Sequence, residues 1–509
     1  MNGLNPFASL AIALTLASGT PARADLSISK DATHNVSCSG GVCTPTAKNA
    51  VLNVGDLTNM LLAHDLTVQT GSGDGTAASI SVVDGFSWTD NNRLTLSAKK
   101  SITVKAAVTV AGGGALTINY NQGKVGGDLL FDGKGKIDFW NLKSSLKING
   151  NAYTLSGDVP TLIKDIKSDL SGFHALANDT DAANEGTIDY TAISGTLTGV
   201  FEGLGHTISN VTLGQSDCEH GQRLGFFADV GSGAAVRDVA FANAKGTSCT
   251  GGHASLVVAA NHGTIQDVSV SGSLQSTGEG GVFMIGGVAA ANFGGIVTRS
   301  QSSVTVDSHN PGSSAAGSLV GWSDGSISLS HATGNVSGVN ATLAGGLAGF
   351  AQSVDQSFAT GSVTTGKGGR HSAAAGGLIG SGAATNSYAT GAVQGEAGSR
   401  VGGLLGFGSD TTSSYAAGAV DGANDSVRGG FVGADAEAGD LSHNYWDLDT
   451  SGIHDRHQGA GNIPDDPGIK GLTDTQLKSG LPNGFDPKVW DLDPKINDGY
   501  PYLRANPPQ

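Results

Sequence analysis

Gly345-Gly346-Leu347-Ala348-Gly349 decides how this chain is read, because the same block returns throughout the second half of the sequence. Upstream lies Gly317-Ser318-Leu319-Val320-Gly321. Downstream lie Gly376-Gly377-Leu378-Ile379-Gly380, Gly402-Gly403-Leu404-Leu405-Gly406 and Gly429-Gly430-Phe431-Val432-Gly433. The third positions are 28, 31, 26 and 27 residues apart. A second block keeps the same phase: His331-Ala332-Thr333-Gly334, Phe358-Ala359-Thr360-Gly361, Tyr388-Ala389-Thr390-Gly391 and Tyr415-Ala416-Ala417-Gly418. Two blocks in one phase describe one supersecondary unit stacked many times, a solenoid.

Composition agrees. The 509 residues include 80 glycines, and only 14% of the residues are charged. The glycines lack a three-residue period and alternate with apolar runs, which excludes collagen and disfavours disorder. Many short strands joined by tight turns fit best. A net charge of −16 argues against nucleic acid or an anionic membrane as partner.

The expected fold is all-β, a parallel β-helix with coils of about 26–32 residues over 186–452. Proline marks its limits: only Pro311 falls between residues 161 and 450, whereas eight of 13 prolines follow residue 451. Proline removes a ladder donor, so its near absence signals continuous pairing. Residues 25–157 carry alternating strands such as Leu66-Thr67-Val68, Ile80-Ser81-Val82, Leu94-Thr95-Leu96, Ile102-Thr103-Val104 and Leu116-Thr117-Ile118, a first stretch of solenoid. Pro160, Leu162, Ile163, Ile166 and Leu170 predict a short amphipathic helix in a connector over 158–185. Thr473-Asp474-Thr475-Gln476 predicts a capping box in a proline-rich tail, 453–509, expected to cap the open edge of the last coil.

Residues 1–24 read as an export signal. The apolar run Phe7–Ala17 leads to Ala22-Arg23-Ala24, with cleavage expected between Ala24 and Asp25. No other stretch has the length of a membrane span. Cys38 and Cys43 enclose a short loop that a disulfide would close. Cys218 and Cys249 are 31 residues apart, as are Phe226 and Val257, so a second disulfide between consecutive coils is expected. Four buried thiols are the alternative; export favours bridging.

No His-Glu-x-x-His zinc site occurs, and His454-Asp455-Arg456-His457 reads as a polar turn. Asp447/Asp449, Asp465/Asp466 and Asp491/Asp493 are carboxylate pairs of the kind a polysaccharide hydrolase or lyase needs, but such pairs are also common in turns. No catalytic or cofactor residue is assigned; calcium holding an aspartate-rich turn is the one structural ion the pattern allows. Gly112-Gly113-Gly114 sits between strands and reads as a turn. Phe358, Tyr388, Tyr415 and Tyr445 recur at equivalent places and predict an aromatic ladder, expected to face inward because exposed apolar strips are rare.

The Gly-Gly-Leu-x-Gly blocks followed by Ser-Tyr-Ala-Thr-Gly resemble the GLUG motif. Phe201-Glu202-Gly203-Leu204-Gly205-His206-Thr207-Ile208-Ser209-Asn210 resembles the lead-in to such repeats, and Asn444-Tyr445-Trp446-Asp447 with Thr450-Ser451-Gly452 their ending. Leu94-Thr95-Leu96-Ser97-Ala98 and the run Leu146–Leu155 are similar to filamentous-haemagglutinin-type exoproteins. The resemblance implies a bacterial secreted or surface β-helix, often an adhesin, and the expected function is adhesin-like binding without enzymatic activity. Its expected partner is a glycan or protein on a host, neighbouring-cell or matrix surface. A polysaccharide-active enzyme and a structural matrix component are the alternatives.

Overall fold

The alternation of aliphatic and polar residues in the first third folds as it reads. The computed structural model describes residues 25–71, 77–215, 223–249, 251–277, 283–309, 314–339, 342–367, 373–437 and 440–508. The proposed signal with Ala24, and Cys218, lie outside the described residues; Asp25 opens the first strand. About 14 turns of parallel β-solenoid run between residues 42 and 472. Among the described residues no helix is long and apolar enough to cross a membrane.

Within 25–148 three parallel sheets form the faces of a coil. Leu66, Leu94, Leu116 and Leu146 line up on one face, Ile80, Ile102 and Leu129 on the second, and Trp88, Val110 and Phe139 on the third. All are buried in one core, because each alternating strand turns its aliphatic side inward. The strands Val36–Ser39 and Val42–Pro45 form a hairpin closed by a Cys38–Cys43 disulfide. Helix α1, Val54–Ala63, was not read from the sequence, although Asn53 caps it and Leu57 and Leu61 lie one turn apart on its buried side.

At Asn149-Gly150 the chain reverses. Both residues have positive φ, 47° and 87°, and they join Ser145–Ile148 to the antiparallel strand Asn151–Ser156. Positive φ at both central residues is what a two-residue hairpin demands. Thr154 then pairs in parallel with His174, and Phe173 with Val200. The second stack is therefore already running before residue 186, and 158–185 supplies its first coil. Helix α2, Val159–Ser168, begins where Asp158 caps the Thr161 N–H at 2.7 Å. Its Val159, Leu162 and Ile166 join the core of the second stack.

The glycine block is an arch at which two sheets meet backbone to backbone. A Cβ on Gly345 would lie 2.0 Å from Ala348 O and 2.6 Å from Gly380 N; one on Gly349 would lie 2.4 Å from Ala316 N. The residue between them points into the core: Leu319, Leu347, Leu378, Leu404 and Phe431 are all fully buried. One corner of each coil is held by a polar ladder. Ser330 N–H donates to Ser357 Oγ, Ser357 N–H to Ser387 Oγ, Ser387 N–H to Ser414 Oγ, and Ser414 N–H to Asn444 Oδ1, at 3.0–3.2 Å. Each serine hydroxyl then donates to the carbonyl two residues back, as Ser387 does to Thr385 O. The corner is buried, and the ladder satisfies groups that water cannot reach.

Phe358, Tyr388, Tyr415 and Tyr445 occupy one register position on successive coils. His331, Phe358, Tyr388 and Tyr415 stack with centroids 4.7, 4.8 and 5.1 Å apart. The expectation that this ladder faces the solenoid interior is corrected. The neighbouring Ala332, Ala359, Ala389 and Ala416 take the inner side, where a Cβ on Gly346 would meet Ala359 Cβ at 2.8 Å and one on Gly377 Ala389 Cβ at 2.9 Å. No ring fits there. The aromatic rings point outward and are buried instead by the tail, in a separate cluster with Leu477, Phe485, Trp490, Tyr500 and Leu503.

The tail does more than cover the last coil. Residues 453–472 complete that coil, with Phe431 N–H donating to Gly459 O and Asn444–Asp447 pairing with Ile469–Leu472. Residues 473–508 then fold back along the flank. Helix α3, Asp474–Lys478, has the predicted capping box. Tyr445 OH donates to Asn483 O, Tyr415 OH to Pro501 O, and Asn506 reaches Ser330 O and Gln356 O, so the strap spans the coils from Tyr445 to His331.

Candidate functional groove between the first stack and the tail

The register column that carries the aromatic ladder continues upstream with different residues. Reading back from His331, it passes through Gln301, Ser269, Ala240 and Thr207. The tail stops at the His331 coil, and the first stack covers the flank near Gly205. The strip between them is open.

One wall is the junction of the two stacks, and the lead-in segment Phe201–Asn210 builds it. Leu204, with φ 55°, is buried in the core of the first stack. Gly205 is pressed against Gly135 O and Phe131, where a Cβ would lie 2.5 Å from the carbonyl. His206 places Nε2 2.8 Å from Ile137 O and Nδ1 3.1 Å from Asp179. A hydrogen bond to His206 is the main cause that holds the Asp179 carboxyl far below the usual range, reinforced by Lys136 at 2.9 Å.

Behind this wall lies a buried polar cluster. Arg237 donates to Glu202 at 2.8 Å, to Tyr120 OH at 3.0 Å and to Tyr153 OH at 3.4 Å. Burial pushes the Tyr153 phenol up to about 12. Asp238 lies against Glu202. Burial, then the charge of Glu202, pushes the Asp238 carboxyl well above its ordinary value, and burial raises Glu202 as well. Arg299 closes the cluster, with Nη2 2.7 Å from Asp267 and 2.5 Å from Asp128.

The groove has two contiguous halves. The first, about 570 Å³, lies beside Phe131, Asp132 and Gly133 of the first stack and is floored by Asp238, Asp267, Arg299 and Gln301. The second, about 500 Å³, runs over Thr207, Ser269, Ser271, Gln301 and Ser303 to His331 and Phe358, where Pro508 of the tail closes it. Among the described residues Arg299 is the one Lys or Arg on its lining, and it is spent on two carboxylates. His331 is held neutral: burial lowers its pKa, opposed only in part by Asn506. Its Nδ1 is 3.1 Å from Asn506 Oδ1, whose amide nitrogen donates to Ser330 O, so Nδ1 carries the proton and Nε2 is left as an acceptor.

The residues singled out by sequence lie elsewhere. Asp447 is buried, accepting Tyr500 OH at 2.7 Å and the Asp449 N–H at 2.8 Å, so it anchors the tail. Asp449 accepts the Asp474 N–H at the start of α3. Asp491 pairs with Arg504, and Asp493 accepts the Lys495 N–H. Asp466 meets Asp435 rather than its neighbour Asp465; burial and Asp466 raise the Asp435 carboxyl to about 6. His457 pairs with Asp465, and His454 Nδ1 donates to Leu448 O at 2.7 Å. Among the described residues no three His, Cys, Asp or Glu side chains come together as a metal site. Cys249 ends the long strand of its coil; its expected partner Cys218 lies outside the described residues. The groove itself was missed. Its signal was the phase of the ladder, which, carried upstream from His331, lands on Gln301-Ser302-Ser303 and Ser269-Val270-Ser271.

No family model matches the chain. It is 28% identical over 268 residues to halomucin of Haloquadratum walsbyi (strain DSM 16790 / HBSQ001), a stretch that is 50% of this chain but 3% of that protein. Among solved structures, similarity extends to a crystal structure of an immunoglobulin A1 protease candidate from Bacteroides ovatus. The identity is 17%, the TM-score 0.38, and 70% of this chain and 93% of that one are covered. An IgA1 protease structure is similar at 19% identity and a TM-score of 0.36, covering 57% of this chain and 21% of that one.

Proposed function

We propose that this chain is an exported, non-enzymatic, adhesin-like binding protein that works at the cell surface or after secretion. The observation that supports the reading best is the groove: a concave strip bounded by two covers and floored by outward side chains of a stiff repeat. The stack holds this strip in fixed geometry, and several weak contacts along it would add up by multivalency. The motif resemblance and the proposed signal over residues 1–24 point the same way. An array of the purified chain against glycans and matrix proteins, with each bound glycan checked for cleavage, tests this. Saturable binding without cleavage is expected.

One observation favours a second reading, a polysaccharide-active enzyme. Asp132, Asp238 and Asp267 all line the half of the groove beside the first stack. Against it, the Asp238 carboxyl is buried against Glu202 and Asp267 is held by Arg299, so neither is free to act on a substrate. Cleavage of any glycan would replace the first reading with this one.

A further inference from the structure

The aromatic stack ends in mid-groove. Its rings lie parallel at rung spacing, and His331 covers Phe358 with an interplanar angle of 2°. The opposite face of His331 looks along the same column toward Gln301, and among the described residues no ring stacks on it. Upstream, the floor is hydroxyls and an amide. The side chains of Thr207, Ser269, Gln301 and Ser303 line the groove and make no hydrogen bond among the described residues. A concave site that sets unspent hydroxyls and an amide beside apolar surface at Ala240, Pro508 and the open face of His331 fits a ligand with flat apolar faces and many hydroxyls.

Resting on the binding-protein reading above, we propose that the groove holds one uncharged polysaccharide chain along the rungs of Thr207, Ser269 and Gln301, with one pyranose ring stacked on the open face of His331. An anionic chain would meet the exposed Asp132, and among the described residues the one Lys or Arg on the lining, Arg299, is already held by Asp267 and Asp128. A peptide strand would lie on the face of a sheet whose backbone groups are already paired, without an edge to extend. A sugar ring is about one rung in length, so successive rings meet Thr207, Ala240, Ser269 and Gln301 in turn, polar at three rungs and apolar at one.

The test is calorimetric titration of the full chain with cellohexaose, maltohexaose and N-acetylchitohexaose, with polygalacturonate and hyaluronate as anionic probes. Binding of at least one neutral oligosaccharide and of neither anion is expected. Gln301→Trp places a ring on the open face of His331 and should weaken that binding tenfold or more, as should His331→Ala. Thr305→Trp, on an exposed row outside the groove, should leave it unchanged. Circular dichroism and the melting midpoint establish that each variant is folded. Neutral-glycan binding that Gln301→Trp does not touch overturns the site while leaving the binding-protein reading intact. Preference for the anions, or binding only to a protein, overturns the ligand class alone. Failure of all three neutral probes overturns this proposal, and failure of the wider array overturns the binding-protein reading.

Discussion

Replacing Gly376 with alanine tests the arch most directly. The added Cβ would lie 2.0 Å from Ile379 O, 2.5 Å from Gly406 N and 2.7 Å from Leu404 O. All three are backbone atoms, so no rotamer change relieves the overlap; two adjacent rungs must part by most of an ångström. Leu404 O accepts from Leu378 N at 2.9 Å and from Ile379 N at 3.2 Å, and both bonds lie in the path of that shift. Forcing a methyl into a packed core costs about 1–3 kcal/mol, and each buried backbone group left without its partner about 1–3 kcal/mol more. A local loss of about 3–9 kcal/mol follows, confined to neighbouring rungs because solenoid stability is a sum of nearest-neighbour terms. Native-state amide exchange read by mass spectrometry should show residues 374–406 losing protection by roughly a hundredfold or more, with the first stack unchanged. Gly480→Ala is the control, since nothing lies within 4 Å of its Cβ. Equal protection in wild type and Gly376→Ala would refute the claim that the arch requires glycine for space.

Arg237→Met leaves Glu202 buried without its cation and should cost about 3–5 kcal/mol, lowering the melting midpoint, with partial recovery on adding Glu202→Gln. Trp490→Ala removes a buried ring packed 4.5 Å from Phe485 and 5.9 Å from Tyr415; limited proteolysis should then cut within 473–508 while the repeats stay intact. Asp435 carries a carboxyl raised from 3.8 to about 6, so its contribution to stability is complete below the unfolded value and is lost as pH rises through about 6. Asp435→Asn should therefore stabilise the chain at pH 8, by about 1–3 kcal/mol, and change little at pH 4, measured as the difference in denaturant midpoint.

The stack was legible because its periodicity is written into residue types that have few alternatives. Gly345 and Gly349 tolerate no side chain, and Leu347 between them has only the core to enter. The serines before each aromatic residue were visible as a row, yet their role was not, because a hydroxyl that accepts from the next rung looks no different in sequence from an exposed one. The orientation of Tyr388 depended on a comparison the sequence does not display: the inner side of its strand faces Gly377, with room for Ala389 alone. What hides the ladder is a tail whose Trp490 and Tyr500 carry no phase relation to the repeat. The groove was harder still. Its wall depends on contacts such as Asp128 with Arg299, 171 residues apart in the chain, a proximity that no local pattern encodes.

The turn at Asn149-Gly150 has a consequence for the sheet edges the two stacks would otherwise expose. A solenoid has two raw ends, each a row of unsatisfied N–H and C=O groups that could recruit another copy. Ser145–Ile148 is the last strand of its sheet in the first stack, and Asn151–Ser156 is the first of the second. By folding one against the other, a two-residue hairpin blunts both ends at once, and each stack becomes the other's stopper. A variant that lengthened this turn would release two adhesive edges from one lesion, and fibre growth or domain exchange, rather than simple unfolding, would be its signature.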